Sequence, residues 1–334
     1  MMTELLSSKA AAQRGTGQLA RLGLTHGRLG SVALLIVAYL VVIPILLSPF
    51  PYWLNVLTNA SILSLASLGV WVTFSIGRIN IAQGAFAMIG GYTTAILSTR
   101  YGVPFWICLP LSAAAAAGVG TLLGLPILRL RGVYFAMITL SLTEAMRLVF
   151  LNGGDFTQGA TGIVNIRRPA GFESPLAFYL LAAVLLLLAL LAVWRLANSR
   201  IGWVFRSLRQ NEELASSIGI DVAKFRVIAF TFSCALGGIA GSFFAVFHQN
   251  IYPATYSVQD SINFMLYCFL GGLDFVIGPV VGGFLLVIAF ELLGELQQYQ
   301  ALLYGVLMIA VMLFLPNGIM SLRLWRGARE GEAS

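Results

Sequence analysis

Charged side chains are scarce in this chain. Only 10% of its 334 residues are Asp, Glu, Lys or Arg, whereas 59% are hydrophobic. A soluble domain of ordinary composition carries about 25% charged residues, so this composition excludes a soluble fold. The basic residues cluster at the ends of long apolar runs, which is typical of an integral membrane protein. The net charge of +7 is therefore interpreted as arising from basic residues that set the orientation of the chain in the membrane. We expect contact with membrane lipid and no nucleic-acid partner.

Cysteine and histidine are also rare, and their positions disfavour two kinds of site. The three cysteines, Cys108, Cys234 and Cys268, lie inside apolar runs without metal-ligand spacing, so neither a disulfide framework nor a zinc site is predicted. The two histidines, His26 and His248, are too far apart in sequence to suggest a shared metal. We therefore expect no metal ion and no cofactor.

Catalytic motifs are missing as well. The chain has no phosphate loop of the form Gly-x-x-x-x-Gly-Lys-Ser/Thr, so it is not expected to hydrolyse ATP itself. It also lacks His-Glu-x-x-His, Gly-x-Ser-x-Gly and a carboxylate pair at catalytic spacing. An enzyme is therefore disfavoured, and no residue is assigned a catalytic role.

Apolar runs long enough to cross about 30 Å of hydrocarbon are abundant. One further interval, 261–293, is ambiguous because glycine pairs interrupt it, so that one kinked helix, two passes or a re-entrant segment remain open. The clear spans are 29–48, 54–76, 79–98, 104–125, 133–151, 176–196, 225–247 and 301–316.

The distribution of basic residues favours two passes in 261–293. Both termini are then cytoplasmic and sixteen of the 20 basic residues lie inside, whereas one pass would export the basic C-terminal tail. We predict an all-α polytopic membrane protein of about ten transmembrane helices. Its parts are a cytoplasmic tail (1–28), a transmembrane domain (29–319) with an outer loop (152–175) and a cytoplasmic loop (197–224), and a cytoplasmic C-terminal tail (320–334). The glycine-rich outer loop is either a contact surface or a plain connection.

The segment Ser199 to Asp221 is the longest basic stretch between apolar runs. Its first half has apolar residues at i, i+3, i+4 and i+7, which predicts an amphipathic helix. An N-cap, two acidic residues in the first turn and a glycine stop predict a second helix of about two turns. This second helix is either an interfacial helix on anionic lipid or, as its acidic residues favour, a docking surface for a cytoplasmic partner. The candidate docking residues are Arg209, Asn211, Glu212, Glu213, Ala215 and Gly219.

Two ionisable residues lie well inside a predicted span. Glu144 is eleven residues after Val133, roughly 16 Å along a helix, and Arg147 is one turn further on. They can pair at i, i+3. A charge within a span is a functional candidate, but one acid with one base forms no proton relay, so we favour a structural ion pair. Glu291 and Glu295 are expected at the outer interface.

Glycines within the spans predict close contacts between helices. The four-residue spacings Gly120/Gly124, Gly237/Gly241 and Gly278/Gly282 allow two helix backbones to approach. The pairs Gly90/Gly91 and Gly271/Gly272 have a second interpretation, as breaks in helices that line a transport path.

Several segments together resemble the permease subunits of ABC importers for branched-chain amino acids, specifically the second permease of such systems. The resemblance extends from about residue 54 to residue 319. The segments are Ile81–Phe86, Gly90–Tyr92, Leu128–Ala136, Thr157–Ile163, Ser199–Gly202, Arg209–Glu212, Gly271–Gly272, Gly278–Pro279 and Leu315–Ile319.

The resemblance implies a subunit of the bacterial inner membrane that works with several partners. These are a second, similar permease, two cytoplasmic ATPase subunits and a periplasmic substrate-binding protein. In such importers a cytoplasmic loop of the form Glu-Ala-Ala-x-x-x-Gly docks into the ATPase, and Glu213 to Gly219 is similar to a degenerate copy. The usual Ile-x-Leu-Pro that follows is missing, and Asp274 stands where the family has glycine.

Two other functions stay open. Within the family, the cargo could be urea, a short amide or another small solute. Outside it, the chain could be a stand-alone ion-coupled carrier, although such a carrier would be expected to have more ionisable residues in its spans than Glu144 alone.

Overall fold

In a computed structural model, the described part of the chain is mostly α-helical. The structure describes residues 49–292 without a gap, together with isolated positions on either side (39, 40, 44, 46, 294, 302, 305, 306 and 309). The described helices are α1 (Pro51–Phe74), α2 (Gln83–Arg100), α3 (Phe105–Ile127), α4 (Val133–Leu151), α5 (Pro175–Ala197), α6 (Arg200–Gln210), α7 (Glu212–Ser217), α8 (Val222–His248), α9 (Val258–Gly271) and α10 (Gly278–Leu292).

Six of the predicted spans match α1 to α5 and α8 to within about four residues. The ambiguous interval 261–293 forms two antiparallel helices, because Gly271 of α9 lies against Gly278 of α10, and Gly282 lies against Tyr267. The spans predicted at 29–48 and 301–316 fall outside the described residues. The total of ten spans and the orientation of the termini therefore stay predictions.

Five described helices are long and apolar enough to cross a membrane, namely α1, α3, α4, α5 and α8. Helix α2, which corresponds to the predicted span 79–98, is less hydrophobic than these five helices and is not among them. The reason is its position, since α2 packs against α8, α3 and α1 and most of its side chains are buried. A helix enclosed by protein has little contact with lipid, so it can carry more polar residues.

The core forms where α8 crosses α1, α2 and α3. Phe230 of α8 meets Phe86 of α2 edge to face, with ring centroids 5.5 Å apart, and Phe135 of α4 at 6.4 Å. Cys234 of α8 and Ala116 of α3 complete this buried cluster. Aromatic pairs in this geometry stabilise a core by more than the area they bury. Helix α8 is therefore the central helix of this core.

Glycines bring α8 into backbone contact with α2. Gly241 lies against the carbonyl oxygen of Ala87, and Gly90 lies against the backbone of Gly238, so neither glycine has room for a Cβ atom. Because α2 continues without interruption from Gln83 to Arg100, the interpretation of Gly90 and Gly91 as a helix break is wrong.

The other singled-out glycines also lie at helix contacts. Gly120 and Gly124 of α3 face Cys234 and Phe230 of α8, and Gly237 faces the side chain of Gln83. Gly272 differs, because it caps the C-terminus of α9 with a φ of 112°, a backbone conformation that residues with a side chain rarely adopt. A helix break is therefore present after Gly271.

The connections gather at two ends of the bundle. At one end, which we call the basic end, residues 75–82, 128–132, 198–221 and 272–277 contact one another. All four were predicted to be cytoplasmic. At the opposite end, the outer loop forms a two-residue strand β1 (Ile163–Val164) that pairs antiparallel with β2 (Asn250–Ile251).

The outer loop is held to the bundle by more than this strand pair. Arg168 Nη2 donates to the backbone oxygen of Phe247 at 3.0 Å, and its guanidinium lies 5.2 Å from the centre of the Phe178 ring. Ile166 N also donates to Gln249 O at 3.0 Å. These contacts fix the second half of the loop on the ends of α5 and α8.

The close approach of α2 and α8 generates a first prediction. Gly241→Ala should destabilise the folded protein by about 2 kcal/mol, because the new methyl group would overlap the backbone of Ala87 and overpacking is costly. The measurement is the melting temperature of the purified protein in detergent, followed by size-exclusion chromatography. Gly118→Ala in α3 is the matched control, since a methyl group added there would meet nothing within 4 Å. Equal losses for both variants would contradict the proposed contact.

Candidate functional site

The segment 199–221 at the basic end forms the two helices that its sequence predicts. Ser199 caps α6, its Oγ accepting from Gly202 N at 3.3 Å. The helix buries Gly202, Phe205 and Leu208 and leaves Trp203 on the surface, with the Arg206 guanidinium 4.6 Å above the indole. This arrangement suits a helix lying at a membrane surface.

The second helix, α7, is short and is defined by its caps. Asn211 Oδ1 accepts from both Glu213 N and Leu214 N at 3.0 Å, so it satisfies two amides that a helix N-terminus leaves free. Gly219 has a φ of 86°, which ends the helix in a left-handed conformation. Local capping chemistry thus sets where this helix begins and ends.

Glu212 is the residue that fixes α7 to the bundle. Its carboxylate forms ion pairs with Arg78 at 3.0 Å, with Arg131 at 3.7 Å and with Arg226. These three arginines come from the α1–α2 connection, the α3–α4 connection and α8. One carboxylate therefore joins four separate parts of the chain.

Two of these arginines are buried and depend on Glu212 for charge compensation. The side chains of Arg78 and Arg226 are 4% and 9% exposed. Arg78 also donates to Leu130 O, and Arg226 Nη1 donates to Leu128 O at 3.3 Å. Burial lowers the pKa of Arg78, the neighbouring Arg226 lowers it further, and Glu212 opposes both effects. The carboxylate of Glu212 therefore allows the positively charged Arg78 and Arg226 to lie side by side in a partly desolvated site.

A second ion pair joins α6 to the turn between α9 and α10. Arg209 Nη2 lies 3.0 Å from Asp274 Oδ1, and its guanidinium stacks 4.7 Å from the centre of the Phe74 ring. Trp71 Nε1 donates to Leu273 O in the same turn at 2.9 Å. The aspartate that departs from the family pattern thus has a partner on the segment 199–221.

The outward face of α7 differs from the set of residues that the sequence suggested. Glu213 has a side chain 86% exposed, and Leu214 and Ile218 are 64% and 71% exposed. Ala215 is buried at 2% and Glu212 points at the arginines, so these two side chains face the bundle. Arg209, Asn211 and Gly219 remain on the surface.

Sequence reasoning missed the exposed pair Leu214 and Ile218, which we call the apolar tip. Two large aliphatic residues one turn apart on a short polar helix are the signal that could have identified it. An exposed apolar patch with a polar rim is characteristic of a protein contact.

A buried polar cluster inside the bundle was also missed. Gln83 is fully buried at the start of α2, where its Nε2 donates to Ser233 O and its Oε1 accepts from Ser233 Oγ, both at 3.1 Å. Gly84 N donates to Ser261 Oγ at 3.0 Å, and Thr143 Oγ1 donates to Ile81 O at 3.0 Å. The last two bonds satisfy backbone groups that the start of α2 leaves without a helix partner, and together the bonds join the start of α2 to α4, α8 and α9.

The predicted pair of Glu144 and Arg147 lies in the outer half of α4. Arg147 Nε donates to both carboxylate oxygens at 3.0 Å, and Nη2 donates to Oε1 at 2.6 Å. The two side chains are 42% and 28% exposed, so the pair lies on the side of the bundle and not in its core. Glu291, expected at the outer interface, accepts from Tyr52 OH at the end opposite to the basic end.

Comparisons with known proteins point to one family. A profile of the family described as branched-chain amino acid transport system, permease component, matches residues 52–315. The high-affinity branched-chain amino acid transport permease protein LivM of Escherichia coli is 32% identical, covering 90% of this chain and 78% of that protein. LivM of Salmonella typhimurium is 31% identical over 83% and 73%, and a probable LivH permease of Methanocaldococcus jannaschii 29% over 78% and 89%. No solved structure matches the chain.

The contacts of Glu212 generate a second prediction. Glu212→Gln should lower the free energy of unfolding by about 3 kcal/mol, because removing one partner of a buried ion pair leaves the other charges uncompensated. The segment 199–221 should then be cut faster by trypsin in native membranes. Glu213→Gln is the control on the same helix turn, since that side chain is exposed. If both variants are cut at the wild-type rate, Glu212 does not hold α7.

Proposed function

This chain belongs to the family of branched-chain amino acid transport permeases and is a permease subunit of an ABC importer, and on that premise we propose that it carries branched-chain amino acids across a bacterial inner membrane. The observation that carries the proposal is the family match over 52–315, which spans α1 to α10. The substrate is proposed from the names of the three relatives reported above, each of which is described as a branched-chain amino acid permease.

The partners are proposed on the same basis. The relatives include permeases named LivM and LivH, which supports a pair of two different permease subunits. Two cytoplasmic ATPase subunits would supply energy, and a periplasmic binding protein would supply substrate. The outer loop 152–175, fixed by β1 and β2 to the end of the bundle, would be a contact surface for that binding protein.

The helix α7 would dock into an ATPase subunit. Its apolar tip, Leu214 and Ile218, is exposed, and removing such side chains from water in a protein contact favours binding. Glu212 on the opposite face is tied to three arginines. One face of α7 is therefore free to bind a partner, while the other is attached to the helices that a partner would need to move.

This attachment supports alternating access driven from outside the chain. ATP binding would close the ATPase dimer and pull α7, and the arginine contacts would pass that displacement to the α1–α2 connection, the α3–α4 connection and α8. Because α2 and α8 touch through their glycine backbones, they would move as one rigid unit. The shift would open the path between the two permeases at the outer end.

A third prediction concerns the apolar tip. Leu214→Asp and Ile218→Asp should each weaken ATPase binding by at least tenfold, because a charge in the centre of an apolar contact is desolvated without a partner. The measurement is the ratio of ATPase to permease after affinity purification from membranes. Ser216→Ala, an exposed position on the same helix, is the matched control. An unchanged ratio in both aspartate variants would remove the tip from the docking surface.

A fourth prediction separates the importer from an ion-coupled carrier. Reconstituted alone in liposomes, the chain should show no leucine uptake under a proton or sodium gradient. Glu144 is the one acidic residue in the described helices α1 to α5 and α8, and it is already paired with Arg147. Adding the second permease, the ATPases, the binding protein and ATP should produce uptake. Gradient-driven uptake by the chain alone would support the carrier.

A further inference from the structure

Helix α4 is the least enclosed of the long helices. Only 17% of its most apolar 18-residue window is buried, compared with 89% for α1. It contacts the rest of the fold through Phe135, Thr139 and Thr143, which lie along one side. The opposite side carries Ile138, Ser141, Ala145 and Leu148, all exposed.

The pair of Glu144 and Arg147 borders this exposed side. Glu144 lies roughly 16 Å from the start of α4, at 1.5 Å per residue, and is seven residues from its end at Leu151. This depth places both charges within the hydrocarbon thickness of a bilayer.

Charges at that depth do not normally face lipid. Ionised side chains within spans face a protein interior or a water-filled cavity, because hydrocarbon cannot solvate them. In this chain, the described part of the fold leaves them 42% and 28% exposed. We therefore expect the exposed side of α4 to border an aqueous space in the assembled transporter.

The chemistry of the pair selects one class of solute. Arg147 uses Nε and Nη2 on Glu144, so its Nη1 group can still donate to a carboxylate. The carboxylate of Glu144 has further lone pairs that can accept from an ammonium group. A solute whose own ammonium and carboxylate are close together can lie antiparallel to this ion pair and form charge-assisted hydrogen bonds with both partners.

We propose that Glu144 and Arg147 form a transient binding site for the zwitterionic head of an α-amino acid on the transport path. The site recognises the ammonium and carboxylate groups and leaves the hydrocarbon side chain to the exposed aliphatic side chain of Leu148, which is one turn from Glu144. This proposal rests on the importer function and narrows it, since urea and neutral amides carry no such pair of charges.

The position of the site fits a path that starts at the outer end. A surface depression of about 620 Å³ lies just beyond the end of α4, and is lined by Gly154, Asp155, Gln158, Gly159 and Thr161. A solute released there would meet Glu144 and Arg147 about one to two helix turns further in. The ion pair would be the first charged contact of the substrate inside the membrane.

The test uses cysteine labelling in the complete transporter, without binding protein or nucleotide. Ala145→Cys places a thiol on the exposed side of α4, one residue from Glu144. Val184→Cys on the aliphatic, exposed side of α5 is a control at similar distance from the outer end. The native cysteines Cys108, Cys234 and Cys268 are buried, and the wild-type protein measures their background.

The expected result has two parts. A membrane-impermeant thiosulfonate should modify Ala145→Cys and not Val184→Cys. Saturating leucine should slow the modification about tenfold, whereas 4-methylpentanoate, which is leucine without its ammonium group, and isoamylamine, which is leucine without its carboxylate, should not. Protection should disappear in Glu144→Gln and in Arg147→Gln, and Arg147→Lys should retain part of it.

Three results of the labelling experiment, and a fourth described after them, would overturn the proposal. The first three are no labelling of Ala145→Cys by the impermeant reagent, protection by either analogue as strong as that by leucine, and protection that survives both glutamine substitutions. Labelling of Ala145→Cys that leucine does not slow would also overturn the proposal, because it would indicate an aqueous path without a binding site at Glu144 and Arg147.

Uptake measurements separate this proposal from the importer function itself. In the double variant Glu144→Gln, Arg147→Gln, leucine uptake per assembled complex should fall about tenfold, while binding-protein-stimulated ATPase activity remains. A purely structural ion pair would lower the yield of complex and leave uptake per complex unchanged. Failure of the wild-type complex to couple ATP hydrolysis to uptake would instead refute the importer function.

Discussion

The carboxylate of Glu212 is the contact on which the basic end of this protein depends. Three arginines from distant parts of the chain converge on it, and two of them are buried. Without the carboxylate, Arg78 and Arg226 would repel each other in a partly desolvated site. With it, the short helix α7 becomes a fixed extension of the bundle, although its own six residues are too few to form a stable helix in isolation.

The interior of the bundle has the opposite character, because it is held by contact of backbones and not by charge. Gly90, Gly238 and Gly241 remove the side chains that would separate α2 from α8. Such contacts cannot slide without a clash, so the two helices form a rigid unit. A rigid pair of helices in the interior, together with the helix α7 that ion pairs attach at the basic end, suits a subunit that transmits motion.

Much of this fold follows from local sequence patterns. Apolar runs predict the long helices, and Asn211 and Gly219 predict the limits of α7, because capping depends on a few neighbouring residues. The ion pair of Glu144 and Arg147 is also local, since i, i+3 neighbours meet on any helix.

The tertiary contacts of the candidate site could not be predicted in the same way. Arg78 is 134 positions from Glu212, and Ser233 is 150 positions from Gln83. No periodicity connects residues so far apart; only the packing of α2, α3 and α8 brings them together. Which side of α7 is buried also depends on this packing and cannot be read from the local sequence. Glu212 and Ala215 were therefore grouped with the candidate docking residues, although both side chains face the bundle.

The α3–α4 connection links the two functional regions. Arg131 lies 3.7 Å from Glu212 and 3.8 Å from Glu213, two residues before α4 begins at Val133. A displacement of α7 would therefore reach α4 through a single short connection, and α4 carries Glu144 and Arg147. A pull on α7 that displaced Arg131 would shift the start of α4, and with it the position of the ion pair. One short path of contacts would thus couple the proposed ATPase dock to the proposed substrate site.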